Sequence, residues 1–432
     1  MTEPSANATT IDETMPQVEP DPLPTRWDYH LKSNFTLNGQ PAEWAQGSPQ
    51  HWGSEELAIE VNDAVSIIAL SQDDKCIAIG LKSGLEIYEI DGEPIRRLSI
   101  PSSPEDWVAV HIEWNRNQLD DHRYQIVVCY TTPRVLGSAL KEAVLQVYNL
   151  DTQEWKAEAI PQLNINCFKW PSRSLNMING PSNRFLVLSR DSSNDPKNNC
   201  IESWDLSERS RICQLPKPSK ETLWLSLNPS GSLIGIASLD QTLSLFDTQS
   251  GLLKSSTPAL GGQIHNAKFS PDGTKIACAH SGTHPSIRIF DMNLQQLHAI
   301  DFHFLTRGLA WSPESNLLAY GAQGGHLQIF DYASRAILQN WELEYPGIRP
   351  SPLNEVDGVQ IVDEGKKIMF TTGMEGGVEV YDFSSNRKWR FQPGEDENEF
   401  VRGTKRSRPI WSSRRRQIIV LDGDGAIRFW TV

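Results

Sequence analysis

The chain has 432 residues, of which 38% are hydrophobic and 22% are charged, as is typical of a soluble globular protein. The formal net charge is −14, and subtracting the −4 carried by residues 1–26 leaves −10 on the remainder. An acidic body repels the phosphates of nucleic acids and the headgroups of anionic membranes, so general binding to either is not expected.

The beginning of the chain shows neither a basic n-region nor an apolar h-region, so we predict no secretory signal. No stretch reaches the roughly 18 apolar residues that a membrane helix needs. The six cysteines are scattered and include no CxxC pair. We therefore expect a protein of the cytoplasm, the nucleus or both, which is not secreted and carries no cofactor.

The first two segments in chain order differ sharply in composition. Residues 1–26 are polar, acidic and rich in proline, which is typical of a disordered tail. Residues 27–54 are too aromatic for a free tail, and we expect them to pack along the folded domain. The aromatic residues on which this expectation depends are Trp27, Tyr29, Phe35, Trp44 and Trp52.

A repeated pattern fills the rest of the chain. An apolar stretch ends in a large residue, a turn and a second apolar stretch follow, and after another turn a third stretch ends in an aromatic. A clear copy has its stretches at 267–269, 275–279 and 286–291, with Ser-Pro-Asp-Gly at 270–273 as its first turn. Short apolar stretches separated by turn residues are typical of strands joined by hairpins.

Eight units of this kind are present. Each is marked by the residue that ends the first stretch and the aromatic that ends the third: Leu70/Tyr88, Trp114/Tyr148, Trp170/Trp204, Leu227/Phe246, Phe269/Phe290, Trp311/Phe330, Ile361/Tyr381 and Trp411/Trp430. Successive closing aromatics are 60, 56, 42, 44, 40, 51 and 49 residues apart. A period of about 40–45 residues plus insertions indicates a four-stranded propeller blade.

These motifs resemble the WD40-repeat family over about residues 55–432. The turn at 270–273 is similar to the family's first hairpin turn, and Asp240 and Asp424, each six residues before a closing aromatic, match its turn aspartate. The dipeptides that resemble its Trp-Asp are Trp204-Asp205, Phe246-Asp247, Phe290-Asp291, Phe330-Asp331 and Tyr381-Asp382. The family's Gly-His dipeptide is missing from its usual place.

The sequence thus predicts an all-β fold, a closed β-propeller of four-stranded blades over residues 55–432. Eight blades are expected, and seven blades with one irregular unit are the alternative. Only Thr431 and Val432 follow Trp430, so the eighth unit lacks a fourth strand of its own. The resemblance implies that an N-terminal strand closes the ring, and residues 55–61 are predicted to be this latch.

Four long insertions are candidates for functional loops. Residues 131–143 and 191–200 lie between second and third strands, whereas 341–355 and 391–407 lie between blades. The resemblance implies that both kinds of connection emerge on one face. Loops on a rigid scaffold commonly carry function, so this face is the expected binding surface.

The basic residues near the end of the acidic chain are candidates for contact with a partner. Arg402, Lys405, Arg406 and Arg408 could hold an acidic or phosphorylated segment, and 414–416 extend the run with three more arginines. The competing interpretation is a solvated loop followed by a hairpin turn, because 414–416 occupy the position of the Ser-Pro-Asp-Gly turn.

Two further groups of residues are candidate sites. Arg307 and His265 begin first strands, where the family often presents partner contacts, although exposed charges are usually merely solvated. Cys278, His280 and His284 have residue types that bind Zn²⁺, but their spacing is not that of a standard structural site. We treat these three as a weak metal candidate beside the expectation that no metal is bound.

No catalytic motif is recognisable: the chain has no GxxxxGK[ST], GxGxxG, HExxH or GxSxG. The sequence therefore predicts a non-enzymatic scaffold that presents its loop-rich face to a protein or peptide, as a monomeric propeller within a larger complex. A propeller enzyme of the lactonase or hydrolase kind, working at the central channel, is one alternative. A substrate adaptor is the other.

Overall fold

The computed structural model describes the chain from residue 35 onward, with gaps. The described ranges are 35–37, 40–51, 53–61, 63–98, 107–114, 125–131, 140–151, 154–159, 165–168, 177–179, 184–190, 199–205, 208, 210–216, 220, 222–282, 284–342, 356–372, 377–392, 408–421 and 425–432. These ranges contain strands, turns and bends, and no helix in them could cross a membrane. The predicted tail, residues 1–26, and residues 27–34 lie outside them.

The described strands form eight sheets of at least four strands, which we number I to VIII in the order of their first strands. Sheets I to IV comprise β6 (Val65–Leu70), β7 (Cys76–Leu81), β8 (Gly84–Glu89) and β9 (Arg96–Leu98); β10 (Val108–Trp114), β11 (Gln125–Thr131), β12 (Leu140–Asp151), β13 (Glu154–Ala159) and β14 (Ile165–Phe168); β15 (Met177–Asn179), β16 (Arg184–Arg190), β17 (Asn199–Asp205) and β18 (Ser210–Gln214); and β19 (Thr222–Leu227), β20 (Leu233–Ser238), β21 (Leu243–Asp247) and β22 (Leu253–Ser256).

The second half of the chain contributes four more sheets and a small hairpin. Sheets V to VIII comprise β23 (Gly262–Phe269), β24 (Lys275–Gly282), β25 (Ser286–Asp291) and β26 (Gln296–Asp301); β27 (Thr306–Trp311), β28 (Leu317–Ala322), β29 (His326–Asp331) and β30 (Ala336–Glu342); β31 (Val356–Val362), β32 (Lys367–Thr372), β33 (Gly377–Asp382) and β34 (Arg387–Gln392), with β3 (Glu43–Trp44) and β4 (Gln50–His51) added; and β35 (Arg408–Ser412), β36 (Gln417–Leu421), β37 (Ala426–Thr431) and β5 (Leu57–Glu60). The hairpin pairs β1 (Thr36–Leu37) with β2 (Gln40–Pro41).

The marker residues of seven repeats lie in one row across the first three strands of their sheets. In sheet V, for example, Phe269 pairs with Ile276, which pairs in turn with Phe290. The corresponding rows are Leu70–Ile77–Tyr88, Trp114–Ile126–Tyr148, Leu227–Ile234–Phe246, Trp311–Leu318–Phe330, Ile361–Ile368–Tyr381 and Trp411–Ile418–Trp430. The constant spacing in the sequence therefore reflects a constant register.

The sheets follow one another around a ring. The first strand of each sheet contacts the first strand of the next, from β6 to β35, and β36 of sheet VIII contacts β6 of sheet I. Sheet VIII takes β5 as its fourth strand, antiparallel to β37, with Ile59 opposite Ile427. The ring is thus joined through residues from both ends of the described chain.

The core lies between neighbouring sheets. One cluster joins Ile77 and Ile79 of sheet I to Ile419 and Phe429 of sheet VIII, and comparable clusters join sheets IV to V and V to VI. Burying one large apolar side chain contributes about 1.5–3 kcal/mol, and a single sheet cannot bury both of its faces. Stacking around a ring meets this requirement, as the repeat pattern predicts.

The segment 35–51 runs along sheets VI and VII. Strands β3 and β4 pair with β34 in parallel orientation. Phe35 is 1% exposed; its ring stacks on Tyr381 at 4.6 Å and meets the edge of Trp341 at 5.0 Å. The Trp44 ring lies 4.6 Å from the Lys388 ammonium, close enough for a cation–π contact. Of the five aromatic residues of 27–54, Phe35 and Trp44 therefore pack on the ring.

The marker Trp170 of the third unit lies outside the described residues, and the first described strand of sheet III is β15. The apolar run before it, β14, instead pairs with the extended start of β12, with Leu140 opposite Phe168. The same extension makes 140–143 strand rather than loop, because an insertion that forms its own hydrogen bonds lengthens the sheet. The eight-blade count stays a prediction, since the strands of sheet III are separated by undescribed residues.

Candidate partner-binding face

We call the upper face the end of the sheets at which each first strand begins. In sheet VI, Thr306 pairs with Ala322 and His326 pairs with Glu342, so these four positions mark that end. Connections between sheets, and those between second and third strands, leave from it. The undescribed connections 132–139, 191–198, 343–355 and 393–407 are of these two kinds, so the described strands that flank them end at the upper face.

An exposed aromatic ring is held at the upper face of sheet VI. Phe304 is 39% exposed, and its ring stacks on the His326 imidazole with 3.5 Å between the ring centroids. The buried Phe302 meets Phe304 edge-on at 5.5 Å and Tyr320 at 4.9 Å. Because Phe304 rests on rings that the sheet holds in place, its side chain loses little further conformational entropy when a partner binds to it.

The stack also sets the charge of its histidine. Burial lowers the pKa of His326, while the carboxylate of Glu342 acts in the opposite direction. His326 is therefore neutral at pH 7. A neutral imidazole stacks on Phe304 without the cost of desolvating a charge, so the stack is an apolar anchor rather than a charged site.

His265 and Arg307 lie at equivalent places in sheets V and VI. Each occupies a β-bulge near the start of its first strand, and a bulge re-aims the side chain it carries. The His265 Nε2 atom lies 2.9 Å from Ser281 Oγ, and the carbonyl oxygen of Arg307 accepts a hydrogen bond of 3.1 Å from Asn266 Nδ2. Both residues are half-buried at the upper face. Their role in partner binding stays a prediction.

The weak metal candidate does not form a cluster in the structure. Cys278 and His280 lie two residues apart on β24 and are buried, whereas His284 is exposed in the following connection. No three His, Cys, Asp or Glu side chains among the described residues come close enough to hold a metal ion. Burial raises the pKa of the Cys278 thiol to about 12, so the thiolate that Zn²⁺ would need is strongly disfavoured.

His280 is instead a buried neutral histidine. Its Nε2 atom lies 2.6 Å from Ser286 Oγ, and Nδ1 has no hydrogen-bond partner among the described residues. Burial, followed by the positive charge of Arg288, lowers the pKa of His280 to about 4. This histidine carries no charge at neutral pH.

The basic run divides into two parts. Arg402, Lys405 and Arg406 lie outside the described residues, and Arg408 begins β35 with a side chain that is not described. Their proposed contact with an acidic or phosphorylated partner therefore stays a prediction. Residues 414–416 are described, and they form the turn between β35 and β36.

The arginines of this turn contact the neighbouring sheets. Arg414 binds both carboxylate oxygens of Asp91, with Nε 2.7 Å from Oδ1 and Nη2 3.1 Å from Oδ2. Arg415 donates from Nη1 to the carbonyl oxygen of Ile90, and Arg416 Nη2 lies 2.9 Å from Asp363 Oδ2. These contacts join sheet VIII to sheets I and VII, so the turn arginines have a structural role at the closure of the ring.

Sequence reasoning missed the Phe304–His326 stack. The two residues are 22 positions apart, Phe304 in the connection before β27 and His326 at the start of β29, so no local motif links them. The one available signal was the unusually aromatic connection Phe302-His303-Phe304 before a first strand. Connections of a propeller are usually polar, so aromatic residues in them indicate either buried packing or a contact surface. Here Phe302 is buried and Phe304 is exposed.

The geometry is that of a WD40-type β-propeller, and solved structures show the same fold. The chain is similar to Saccharomyces cerevisiae Sqt1, at 11% identity and a TM-score of 0.59 over 88% of this chain and 98% of that one. It is also similar to the C-terminal WD40 domain of Sif2, at 11% identity and a TM-score of 0.60 over 87% and 98%. The computationally designed protein Ika8 matches at 11% identity and a TM-score of 0.57 over 86% and 98%.

At this level of identity the likeness shows the fold alone. No family model matches the chain, and no curated protein sequence matches it significantly. The WD40-type propeller expected from the motifs is confirmed, whereas a particular activity or partner does not follow from it.

Proposed function

We propose that this protein is a non-enzymatic scaffold that binds a protein or peptide partner at its upper face, in the cytoplasm or the nucleus. The observation that carries the proposal is Phe304, exposed at the upper face and held by the His326 stack. Energetically dominant contacts at interfaces are commonly aromatic or arginine side chains set in rigid surroundings. Arg307 lies three residues beyond Phe304 in the chain, near the start of β27 at the same face.

The chemistry of the patch favours one kind of partner segment. An apolar side chain would pack on Phe304, and a neighbouring carboxylate or phosphate would pair with Arg307. The long connections 343–355 and 393–407 leave from the same face, and the second contains Arg402, Lys405 and Arg406. An acidic or phosphorylated segment would suit both groups.

The proposal is tested by recovering partners with the tagged full chain and comparing variants by quantitative mass spectrometry. Phe304→Ala is expected to reduce the recovery of the specific partners about tenfold or more, as for a contact worth about 2 kcal/mol. Leu297→Ala is the matched control, because Leu297 is similarly exposed, at 37% against 39%, but lies on the outer strand β26. Equal recovery with both variants would contradict the proposal.

The basic connection needs a separate variant. Changing Arg402, Lys405 and Arg406 to Ala together is expected to reduce recovery further if the partner is acidic or phosphorylated. Treatment of the partner pool with phosphatase then separates these two chemistries, because only phosphorylated partners lose affinity. Unchanged recovery of the triple variant would remove the basic connection from the binding surface and leave the Phe304 patch.

A further inference from the structure

The first strands of the propeller line an axial channel. In the seven sheets with an aligned row of markers, the residue just before the first marker is half-buried or exposed, although the first strands lie at the centre of the ring. Solvent therefore reaches the inner side of the ring at these positions. We call them the channel level, and they are Ala69, Glu113, Ser226, Lys268, Ala310, Gln360 and Ile410.

Lys268 differs from the rest of the channel level because it is exposed, whereas the other six residues are half-buried. Its neighbours Ala267 and Phe269 belong to the apolar cluster between sheets IV and V, so the Lys268 side chain leaves the opposite face of β23. The carbonyl oxygen of Lys268 accepts a hydrogen bond of 3.0 Å from Trp311 Nε1 of sheet VI. The side chain therefore points towards the channel on the side of sheet VI.

The strands around Lys268 offer it no carboxylate. The strands β19, β20, β24 and β27 contact β23, and neither they nor β23 itself contain an Asp or a Glu. The other basic residues and histidines of these five strands are His265, Lys275, His280 and Arg307. In a protein with a net charge of −14, this part of the ring is therefore locally basic.

The Lys268 side chain is open to the solvent of the channel, yet it is enclosed by protein. Burial lowers the pKa of its ammonium group, because protein displaces water that would stabilise the charge. Among the described residues no carboxylate or hydrogen bond acts on this pKa in the opposite direction. Glu113, the other charged residue of the channel level, lies three sheets away in sheet II, where His111 Nε2 is 3.3 Å from its Oε1. The described part of the chain therefore supplies Lys268 with no adjacent counter-charge.

We propose that Lys268 binds a small oxyanion, a phosphate or a carboxylate, in the axial channel. An anion beside the ammonium supplies the counter-charge, and the attraction is stronger where protein has displaced water. Lysine commonly binds phosphate as a point charge on a flexible stem. Ser226, at the channel level of the adjacent sheet IV, adds a hydroxyl group of the kind that donates to an oxyanion. This inference does not depend on the proposed function of the upper face.

Isothermal titration calorimetry of the full chain with inorganic phosphate, and separately with acetate, tests this inference. Lys268→Met is expected to weaken binding about tenfold or more, as for the loss of a hydrogen bond to a charged group, whereas Lys268→Arg keeps the charge and should retain binding. Lys254→Met is the matched control, because Lys254 lies on the outer strand β22, 3.6 Å from Asp247, and this variant should bind like the parent. Equal affinities of Lys268→Met and the parent would overturn the proposal, as would no binding of either ion by the parent up to about 10 mM.

Carbon NMR of the lysine side chains shows where the ion binds, with the Lys268 signal identified by its loss in Lys268→Met. Saturating phosphate is expected to raise the pKa of Lys268 and to leave that of Lys254 unchanged, because a bound anion favours the charged form. An unchanged pKa of Lys268 would mean that phosphate binds elsewhere and would overturn the proposal. A phosphoserine peptide in place of phosphate separates the two sources of the oxyanion: the same rise in pKa assigns it to a protein segment, and no rise assigns it to a free ion.

Discussion

The seam between sheets VI and VII and the seam between sheets VIII and I are held together differently. At the first, the second strand of sheet VI approaches sheet VII so closely that a Cβ on Gly321 would lie 2.7 Å from the carbonyl oxygen of Val356. At the second, Arg414 and Arg415 reach across to Asp91 and Ile90. The first seam is held by close packing, whereas the second adds an ion pair and an arginine–carbonyl hydrogen bond to its apolar cluster.

The difference follows from the order of the chain. Sheets VI and VII are consecutive repeats, so a single connection, residues 343–355, separates them along the chain. Sheets I and VIII come from opposite ends of the propeller sequence. Bringing them together costs the loop-closure entropy of the whole intervening chain. Charged groups with fixed geometry favour the correct pairing of two surfaces, and β5 adds a covalent link from the N-terminal side. We infer that closure is the step most sensitive to mutation.

Removing the latch is expected to have the largest effect. Deletion of residues 55–61 removes the buried Ile59 and Val61, each worth about 1.5–3 kcal/mol, and leaves β37 without its outer partner. It also removes Glu56, which accepts hydrogen bonds from Thr431 and Gln417. The free energy of unfolding should fall by several kcal/mol, which urea denaturation would measure. A deletion of residues 1–26 is the control and is expected to leave the curve unchanged; identical curves for both deletions would contradict a latch.

A buried carboxyl group in sheet VII is expected to give the next largest effect. Glu379 is fully buried, the Nε atom of Arg390 lies 3.8 Å from its Oε1, and burial raises its pKa from 4.5 to about 7. The folded protein therefore holds a proton that the unfolded chain releases, so this group makes stability fall as pH rises from about 4.5 to 7. At about 1.4 kcal/mol for each pH unit, the loss is roughly 3 kcal/mol.

The variant Glu379→Gln should remove this dependence and be more stable than the parent at pH 8, as measured by urea denaturation across pH 5–8. His280 provides the contrast, because its pKa is lowered from 6.5 to about 4. In that case the unfolded chain binds the proton, so stability rises with pH between about 4 and 6.5, and His280→Asn should remove the rise. If the free energy of unfolding of Glu379→Gln falls with pH as steeply as that of the parent, the charge on Glu379 does not limit the stability of sheet VII.

The close approach at the seam between sheets VI and VII gives a third, smaller prediction. Gly321→Ala places a methyl group against the backbone carbonyl oxygen of Val356. This backbone atom cannot move aside as the end of a flexible side chain can. Overpacking of this kind costs about 1–3 kcal/mol. Gly92→Ala is the matched control, since no atom lies within 4 Å of a Cβ there and its φ is ordinary. Equal melting temperatures of the two variants would show that the seam accommodates the added methyl group without losing stability.

The sequence predicted the parts of the fold that depend on local pattern. The rows that contain Phe290 and Phe330 follow from spacing alone, because a blade of constant strand length sets a constant register. Contacts that depend on which strands become neighbours were not predictable. Glu379 meets Arg390 because β33 pairs with β34 in one register, and Phe304 meets His326 because the connection before β27 reaches the start of β29. The pairing of β14 with the start of β12 was not predictable either, because residues 140–143 extend β12 beyond the repeat pattern.

The charge pair at the closing seam is expected to give the smallest effect. The side chains of Arg414 and Asp91 are 51% and 32% exposed, so solvent screens them, and pairs of this kind contribute about 0.2–1 kcal/mol. Arg414→Ala and Asp91→Ala, alone and together, would measure the coupling in a double-mutant cycle by urea denaturation. The coupling should fall towards zero in about 1 M salt, where the screening length is about 3 Å. Lys220→Ala, an exposed position outside the seam, should show no salt-dependent change. A coupling that survives high salt would mean that the seam excludes water more fully than these exposures indicate, and the closing seam would then resemble the close-packed seam between sheets VI and VII.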